Sequence, residues 1–322
     1  MNPNKANLLC GAVAMLLAGC AIAGAAESQD ASKLAAKSAT TATVETAYPG
    51  LASGALAMAT LGELPDGTRV RAGEIAVTDQ DLQAIASKAP AELQGQVSKN
   101  AFFFVEQIAT RKLLLAAAAP GLKAPPAGKE AGADEAQRIQ EYLKGVAGQV
   151  SVSDSEIANF YEKNKDMVGG APLDAVKDTV RAYLQGEKQQ KAVDAHIRAF
   201  GRRVPIVVSA AWAKEQAALA KDNPVDKARS SGRPSMVDFG ADGCRPCDMM
   251  TPILASLKTK FEGKLNVDFV HVQQEPILAA RYGIQSIPVQ VFFDKDGKEV
   301  SRHVGFFPQA EIEKQLAEMG VQ

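Results

Sequence analysis

Residues 238–250 read DFGADGCRPCDMM, which places Cys244 and Cys247 two residues apart in a chain with only four cysteines. Such a pair is a redox couple, half of a zinc site, or one staple of a disulfide framework. The other two cysteines narrow the choice. Cys10 and Cys20 both lie in NLLCGAVAMLLAGC, a short apolar stretch preceded by the single charge of Lys5 and followed by AIAGAAESQDASK. A short apolar core running into small residues has the pattern of a secretory signal and is too short for a comfortable permanent span. Removal of residues 1–19 takes Cys10 away, and what remains cannot build a multi-bridge framework.

Outward from the pair, the pattern alternates between strand and helix. Residues 225–232, VDKARSSG, read as a helix ending at a glycine, and Arg233-Pro234 lead into SMVDFG, a buried strand by its composition. Beyond Cys244 the segment PCDMMTPILASLKTKF has Met249, Ile253, Leu254, Leu257 and Phe261 at helical spacing, with Pro252 inside it as a kink. LNVDFVHV reads as another buried strand and PILAARYGI as a short helix. VQVFF and VSRHVGF are two strands joined by the turn Asp294-Lys295-Asp296-Gly297, and PQAEIEKQLAEMG closes the chain as a helix.

This succession, strand–CxxC–helix–strand–helix–hairpin–helix, resembles the thioredoxin family over about residues 225–321. VDFGADGCRPC is similar to the family's active-disulfide sequence, with proline between the cysteines. By that resemblance Asp238 falls at the buried acid, Pro252 at the helix-kinking proline, Ile287-Pro288 at the cis-proline, and Gly305 at the glycine after the last strand. The implied chemistry is thiol–disulfide exchange, carried by the two sulfurs without a cofactor. A thiolate attacks a disulfide, and Cys244, at a helix start where unpaired amides favour negative charge, is the expected nucleophile. Cys247, one turn along and shielded, is expected to resolve the mixed disulfide, with Asp238 accepting its proton. Pro288 in the cis form would present the backbone of Ile287 to an extended substrate segment. Arg245 beside Cys244 either stabilises the thiolate, making the pair more oxidising, or points into solvent and contributes little.

Departures limit the inheritance. Gly240 and Gly243 replace the aromatic residues that flank the family's site, and Phe269 replaces its lysine near the buried acid. No metal is expected. A structural zinc site needs four ligands, and beyond this pair only His196, His271 and His303 are on offer, spread over different parts of the chain.

The N-terminal part reads as mostly helical. ESQDASKLAAKSATTATVETA, residues 27–47, is small and polar without a sustained period and reads as a tether. One short helix is expected between Tyr48 and Asp66; VRAGEIAVTDQDL then gives a short strand pair and a helix capped by Thr78. FFFVEQIATRKLLLAAAA is a helix, a second helical block starts at Glu135, and Ser153 with Glu156 forms a capping box for the helix carrying Ile157 and Phe160. A long amphipathic helix runs from Pro172 to Phe200, followed by the strand-like Val204–Val208. The order of these pieces resembles the chaperone module of the SurA, PrsA and PpiD folding factors over about residues 69–208. In that family a parvulin isomerase domain intervenes, whereas here only Val168, Gly169, Gly170 and Ala171 stand in the gap, so isomerase activity is not implied.

Leu17-Ala18-Gly19-Cys20 resembles the lipobox of bacterial lipoproteins, in which the cysteine becomes the lipidated first residue; ordinary cleavage after Ala23 or Ala25 is the rival. A formal net charge of −1 and no basic run with interleaved aromatics argue against nucleic acid as a partner, and the 46% hydrophobic content, rich in alanine, points to a helix-rich core in the first part. The expected plan is a signal peptide at 1–19, a flexible tether at 20–47, an α-rich SurA-N-like domain at 48–209, a linker helix at 210–224 containing Trp212 as an interdomain packing residue, and an α/β thioredoxin fold at 225–322. The expected function is disulfide exchange with unfolded or thiol-containing proteins of the periplasm or cell envelope, from a lipid-anchored position at the membrane. An electron-donating membrane protein of the DsbD or CcdA kind is a further implied partner. The alternative is a chaperone or binding module that uses the thioredoxin fold as a scaffold, for which Cys244, Cys247, Asp238 and Pro288 would not be required.

Overall fold

The computed structural model of the chain describes residues 42–118, 131–163, 165 and 170–322. The expected signal sequence, Cys20 and most of the expected tether lie outside these residues. The described chain falls into two compact units that no single cut in sequence separates. One takes the residues up to Ile85 together with Phe102–Lys214; the other takes Ala86–Ala101 together with Glu215–Gln322. No helix among the described residues is long and apolar enough to cross a membrane.

The N-terminal unit begins with helix α1 (Val44–Ala47), in the last four residues of the stretch expected to be a tether. Thr43 and Thr46 cap each other's backbone N–H groups, and Val44 is completely buried. A cap and a single anchoring side chain are too short a signal to appear as a period. The helix expected between Tyr48 and Asp66 is instead a series of turns leading into β1 (Thr60–Gly62). The reason is long-range: the buried carboxylate of Glu106 accepts the N–H groups of Ser53, Gly54 and Leu56 at 3.0, 2.9 and 3.1 Å. Those donors satisfy a distant side chain rather than a local helix.

Strands β2 (Thr68–Ala72) and β3 (Ile75–Thr78) form the expected pair. Helix α2 (Asp79–Ala86) follows, its start held by the N–H of Thr78 donating to Asp81 at 2.8 Å. Helix α3 (Gln94–Lys99) lies in the segment that belongs to the other unit. Then come α4 (Ala101–Ala118), α5 (Ala131–Ala147), α6 (Asp154–Lys163) and α7 (Leu173–Arg203), the last packing against both α5 and α6. The Ser153–Glu156 capping box at the start of α6 is present, with bonds of 2.9 and 3.3 Å. Strand β4 (Val207–Ser209) enters between β1 and β2, giving the sheet order β1-β4-β2-β3. Phe102, Phe104, Val70, Val77 and Val208 are all buried. Trp212, on α8 (Ala210–Ala220), is buried and stacks on Phe102 at 5.4 Å with the Arg69 guanidinium over its ring. These contacts of Trp212 lie within the N-terminal unit, whereas the sequence suggested packing between domains.

The C-terminal unit is a sheet with helices on both faces. After α9 (Pro224–Arg229) come β5 (Ser235–Gly240), α10 (Arg245–Lys260), β6 (Asn266–His271), α11 (Pro276–Arg281), β7 (Val289–Phe293), β8 (Glu299–Val304) and α12 (Gln309–Glu318). The order is β6-β5-β7-β8, with β5 parallel to β6 and the other pairs antiparallel. Both central strands are buried at every position, as covered faces require. Val237, Phe239, Val291 and Phe293 pack on one side with Val225 and Leu278. Met236, Val267 and Phe292 pack on the other side with Met250, Leu257, Ile312 and Leu316.

Two expectations need correction here. Met249 is 46% exposed, and the apolar stripe of α10 runs through Met250 instead. Strand β6 is not buried throughout: it lies at the sheet edge, and Phe269 is 45% exposed. The β7–β8 turn is as expected. Gly297 has φ +75°, and a Cβ there would meet the Arg229 carbonyl oxygen at 2.5 Å. Segment Ala86–Ala101 is tied to the unit by Gln96 Nε2 donating to the Gln274 carbonyl at 2.6 Å, and by Lys99 pairing with Asp222 at 3.0 Å.

Candidate active site: a cysteine pair at a helix start

Central strand β5 ends at Gly240, and four residues later Cys244 stands as the N-cap of α10 in extended conformation, φ −102° and ψ 101°. Its sulfur accepts the backbone N–H of Cys247 at 3.4 Å, the contact that an N-cap serine oxygen would make. Pro246 in the first helical turn lacks only an N–H that would be unpaired there in any case. The two cysteines are joined by a disulfide, their Cα atoms 5.2 Å apart. Cys244 is half-buried, Cys247 is buried, and Arg245 between them is exposed. Asp242, in the approach to Cys244, donates its N–H to Nε2 of His271 at 3.3 Å.

The Ile287–Pro288 peptide bond is cis, and the Ile287 carbonyl oxygen lies 4.0 Å from the sulfur of Cys244. Gly305 donates its N–H to the Pro288 carbonyl at 2.8 Å, securing the same segment from the end of β8. The structure thus brings Cys244, Cys247, Ile287 and Pro288 together at one end of the sheet. Cys20 lies outside the described residues.

Asp238 is fully buried, with no exposed surface. Burial pushes its carboxyl group up to about 6, partly opposed by a hydrogen bond from Gln290. That bond runs from Nε2 of Gln290 to Oδ1 at 2.7 Å, while Oδ2 has no hydrogen-bond partner. Asp238 and Gly240 share a face of β5, two residues apart. A Cβ on Gly240 would lie 3.4 Å from the Cβ of Cys247. Asp238 therefore stands one side-chain repeat, roughly 7 Å, from the strand position that Cys247 covers.

Phe269 is the ladder partner of Asp238 on β6. Its ring fills the place of a residue-240 side chain: a Cβ on Gly240 would come within 2.8 Å of Cε2. The glycine and the exposed phenylalanine are thus one steric adjustment beside Cys247. Sequence reasoning missed Gln290. The available signal was a lone amide in VQVFF, two residues beyond Pro288, where a strand buried on both faces should be apolar throughout.

His196 makes its contact with Tyr142 in the N-terminal unit at 2.8 Å, and His303 with the Phe306 carbonyl at 3.2 Å. Neither reaches the cysteine pair through these bonds.

A family model described as a thioredoxin-like domain matches residues 222–320. Thioredoxins of Staphylococcus aureus, among them those of strains Mu50, MW2 and N315, are each 40% identical over 81 residues. The match covers 25% of this chain and 77% of each relative.

Proposed function

This chain belongs to the thioredoxin family through its C-terminal unit, and we propose that it is an extracytoplasmic, membrane-anchored protein thiol–disulfide oxidoreductase. The observation that carries the reading is the Cys244–Cys247 disulfide at the start of α10, beside the cis Ile287–Pro288 bond. In the reducing direction, the thiolate of Cys244 attacks one sulfur of a client disulfide. A new S–S bond forms to Cys244, and the other client sulfur leaves as a thiolate. Cys247 then gives its proton to Asp238 and attacks the sulfur of Cys244, which breaks the mixed disulfide and releases the second client thiolate. The client gains two electrons and the pair becomes the disulfide. The oxidising direction is the same sequence reversed. The backbone of Ile287 aligns the client segment, and Arg245 borders the attacking sulfur.

The N-terminal unit serves as a client-binding domain without isomerase activity. Support comes from the ordered resemblance of its segments to folding-factor chaperone modules and from the short gap at residues 168–171. Cys20 carries the lipid, placing the protein in the periplasm or cell envelope within reach of a DsbD- or CcdA-type membrane protein. A flexible tether of about 20 residues spans roughly 25 Å on average.

Two full-length variants test both parts. Full-length Cys247→Ser, expressed in its native envelope, should accumulate mixed disulfides through Cys244 that reductant releases, whereas Cys244→Ser should form none. The mature chain should start at Cys20 and carry added lipid mass. Adducts that form equally in both variants would sink the assigned roles, and a mature chain starting at Gly24 or Ala26 without lipid would sink the anchor.

A further inference from the structure

Strand β7 presents five buried side chains, four of them apolar, and the fifth is the amide of Gln290. An amide buried without its full set of partners is unfavourable, so a position of this kind asks for a reason. Its Nε2 donates to Oδ1 of Asp238 at 2.7 Å, and its Oε1 has no hydrogen-bond partner. The two residues are direct ladder partners, and they share a sheet face with Met236 and Phe292, which pack under α10 and α12.

The surroundings of the carboxyl group are otherwise apolar apart from one imidazole, that of His303. On β6 the ladder partner of Asp238 is Phe269, and on β8 the partner of Gln290 is His303, whose Nε2 meets the Phe306 carbonyl and whose ring stacks on Phe307. From α10 the facing groups are Cys247, held in the disulfide, with Met250 and Leu254; from α12 they are Ile312 and Leu316. Apart from burial, the Gln290 hydrogen bond is what acts on the Asp238 carboxyl group.

We propose that Gln290 is a positioning residue for disulfide exchange, holding Oδ1 of Asp238 through its amide N–H so that the carboxylate form persists near neutral pH and Oδ2 is the oxygen that receives the Cys247 proton. This rests on the exchange reaction proposed above. In the step concerned, the S–H bond of Cys247 breaks and an O–H bond forms at Oδ2. The sulfur electron pair then attacks Cys244, and the client thiolate leaves with the electrons of the broken S–S bond. A neutral donor suits this task better than either alternative. A cation bonded directly to the carboxylate would lower its basicity, whereas an apolar residue would leave desolvation unopposed and keep the acid protonated.

The test compares wild type with Gln290→Met, which keeps chain length, and Gln290→Leu as a second apolar variant. The Asp238 carboxyl resonance of the oxidised full chain is titrated by carbon-13 NMR, and the rate of the resolving step is followed against pH. The Asp238 midpoint should move upward in both variants. The resolving step should slow about tenfold for each pH unit the midpoint moves while the pH stays below it, and recover at alkaline pH. Alkylation of Cys244 should be unchanged, and Gln290→Met should add nothing to the pH profile of Asp238→Asn. A lowered melting temperature with an unmoved Asp238 midpoint would make Gln290 a packing residue only and overturn the proposal. Because the NMR titration needs no turnover, it reads this contact even if the wild type exchanges no disulfides, which would instead count against the oxidoreductase reading.

Discussion

A carboxyl group on a strand buried from both sides loses its hydration, and Asp238 gains no cation in return, so it is raised to about 6 from an ordinary value of 3.8. Between those two pH values the folded chain keeps a proton that the unfolded chain has released, and stability therefore falls as pH rises through the window. The loss is absent below the unfolded value and complete above about 6. At about 1.4 kcal/mol per pH unit it amounts to roughly 3 kcal/mol. Asp238→Asn keeps an oxygen to accept the Gln290 bond and removes the charge. It should stabilise the protein at pH 7 by up to about 3 kcal/mol and at pH 4 by less than about 1 kcal/mol. The same variant should slow the resolving step, more at neutral than at alkaline pH, since Cys247 ionises unaided when the pH is high. Urea unfolding at the two pH values checks the first expectation; an equal gain at both would mean that the buried charge is not its cause. Asp238 was legible because it stands between Val237 and Phe239 in an apolar strand, where cover on both faces leaves a carboxylate no solvated position. Gln290 carries only the weaker signal of a lone amide in the apolar run VQVFF, and only the β5–β7 register gives it a partner.

Elements marked by a period were readable in the sequence. Helices α4, α6 and α7, the hairpin turn and the β5–α10 unit follow from apolar spacing, caps and turn residues acting over a few positions. The elements that escaped are set at longer range. The segment from Tyr48 to Ala59 is turned rather than helical because Glu106, some fifty residues away, takes its amides. Strand β6 reads as fully buried from LNVDFVHV, yet its edge position leaves Phe269 half outside, covering the place of a residue-240 side chain. That pairing yields a prediction at the element scale. Gly240→Ala puts a Cβ 2.8 Å from Cε2 of Phe269 and 3.4 Å from the Cβ of Cys247. The ring is half exposed and able to swing outward, so the cost should be about 1 kcal/mol rather than the several expected in a closed core. In a Phe269→Ala background the same change should cost almost nothing, a coupling above about 0.5 kcal/mol in a double-mutant cycle. Strict additivity of the two changes would mean that the ring is not what keeps position 240 small.

The two compact units of this chain interleave in sequence, and that constrains how a division of labour can be tested. Ala86–Ala101 belongs to the C-terminal unit, where Gln96 bonds to the Gln274 carbonyl and Lys99 pairs with Asp222. A fragment of the helical half alone would carry that segment without its partners, and a C-terminal fragment would lack it. Either could fail for reasons unrelated to function. Client holding and disulfide exchange should therefore be separated within the full chain, by removing sulfur rather than residues. Full-length Cys244→Ser, Cys247→Ser has no means of exchanging disulfides, while the contacts within the N-terminal unit are untouched. If that unit binds unfolded polypeptide, the double variant should delay aggregation of a reduced, thiol-bearing client about as well as wild type. Reductive or oxidative turnover of a disulfide-bearing client should fall to the uncatalysed rate in the same preparation. The measurement is light scattering over a concentration series of the full chain, with and without the two substitutions. A delay that disappears with the cysteines would place client capture at the exchange site itself and leave the N-terminal unit as a spacer.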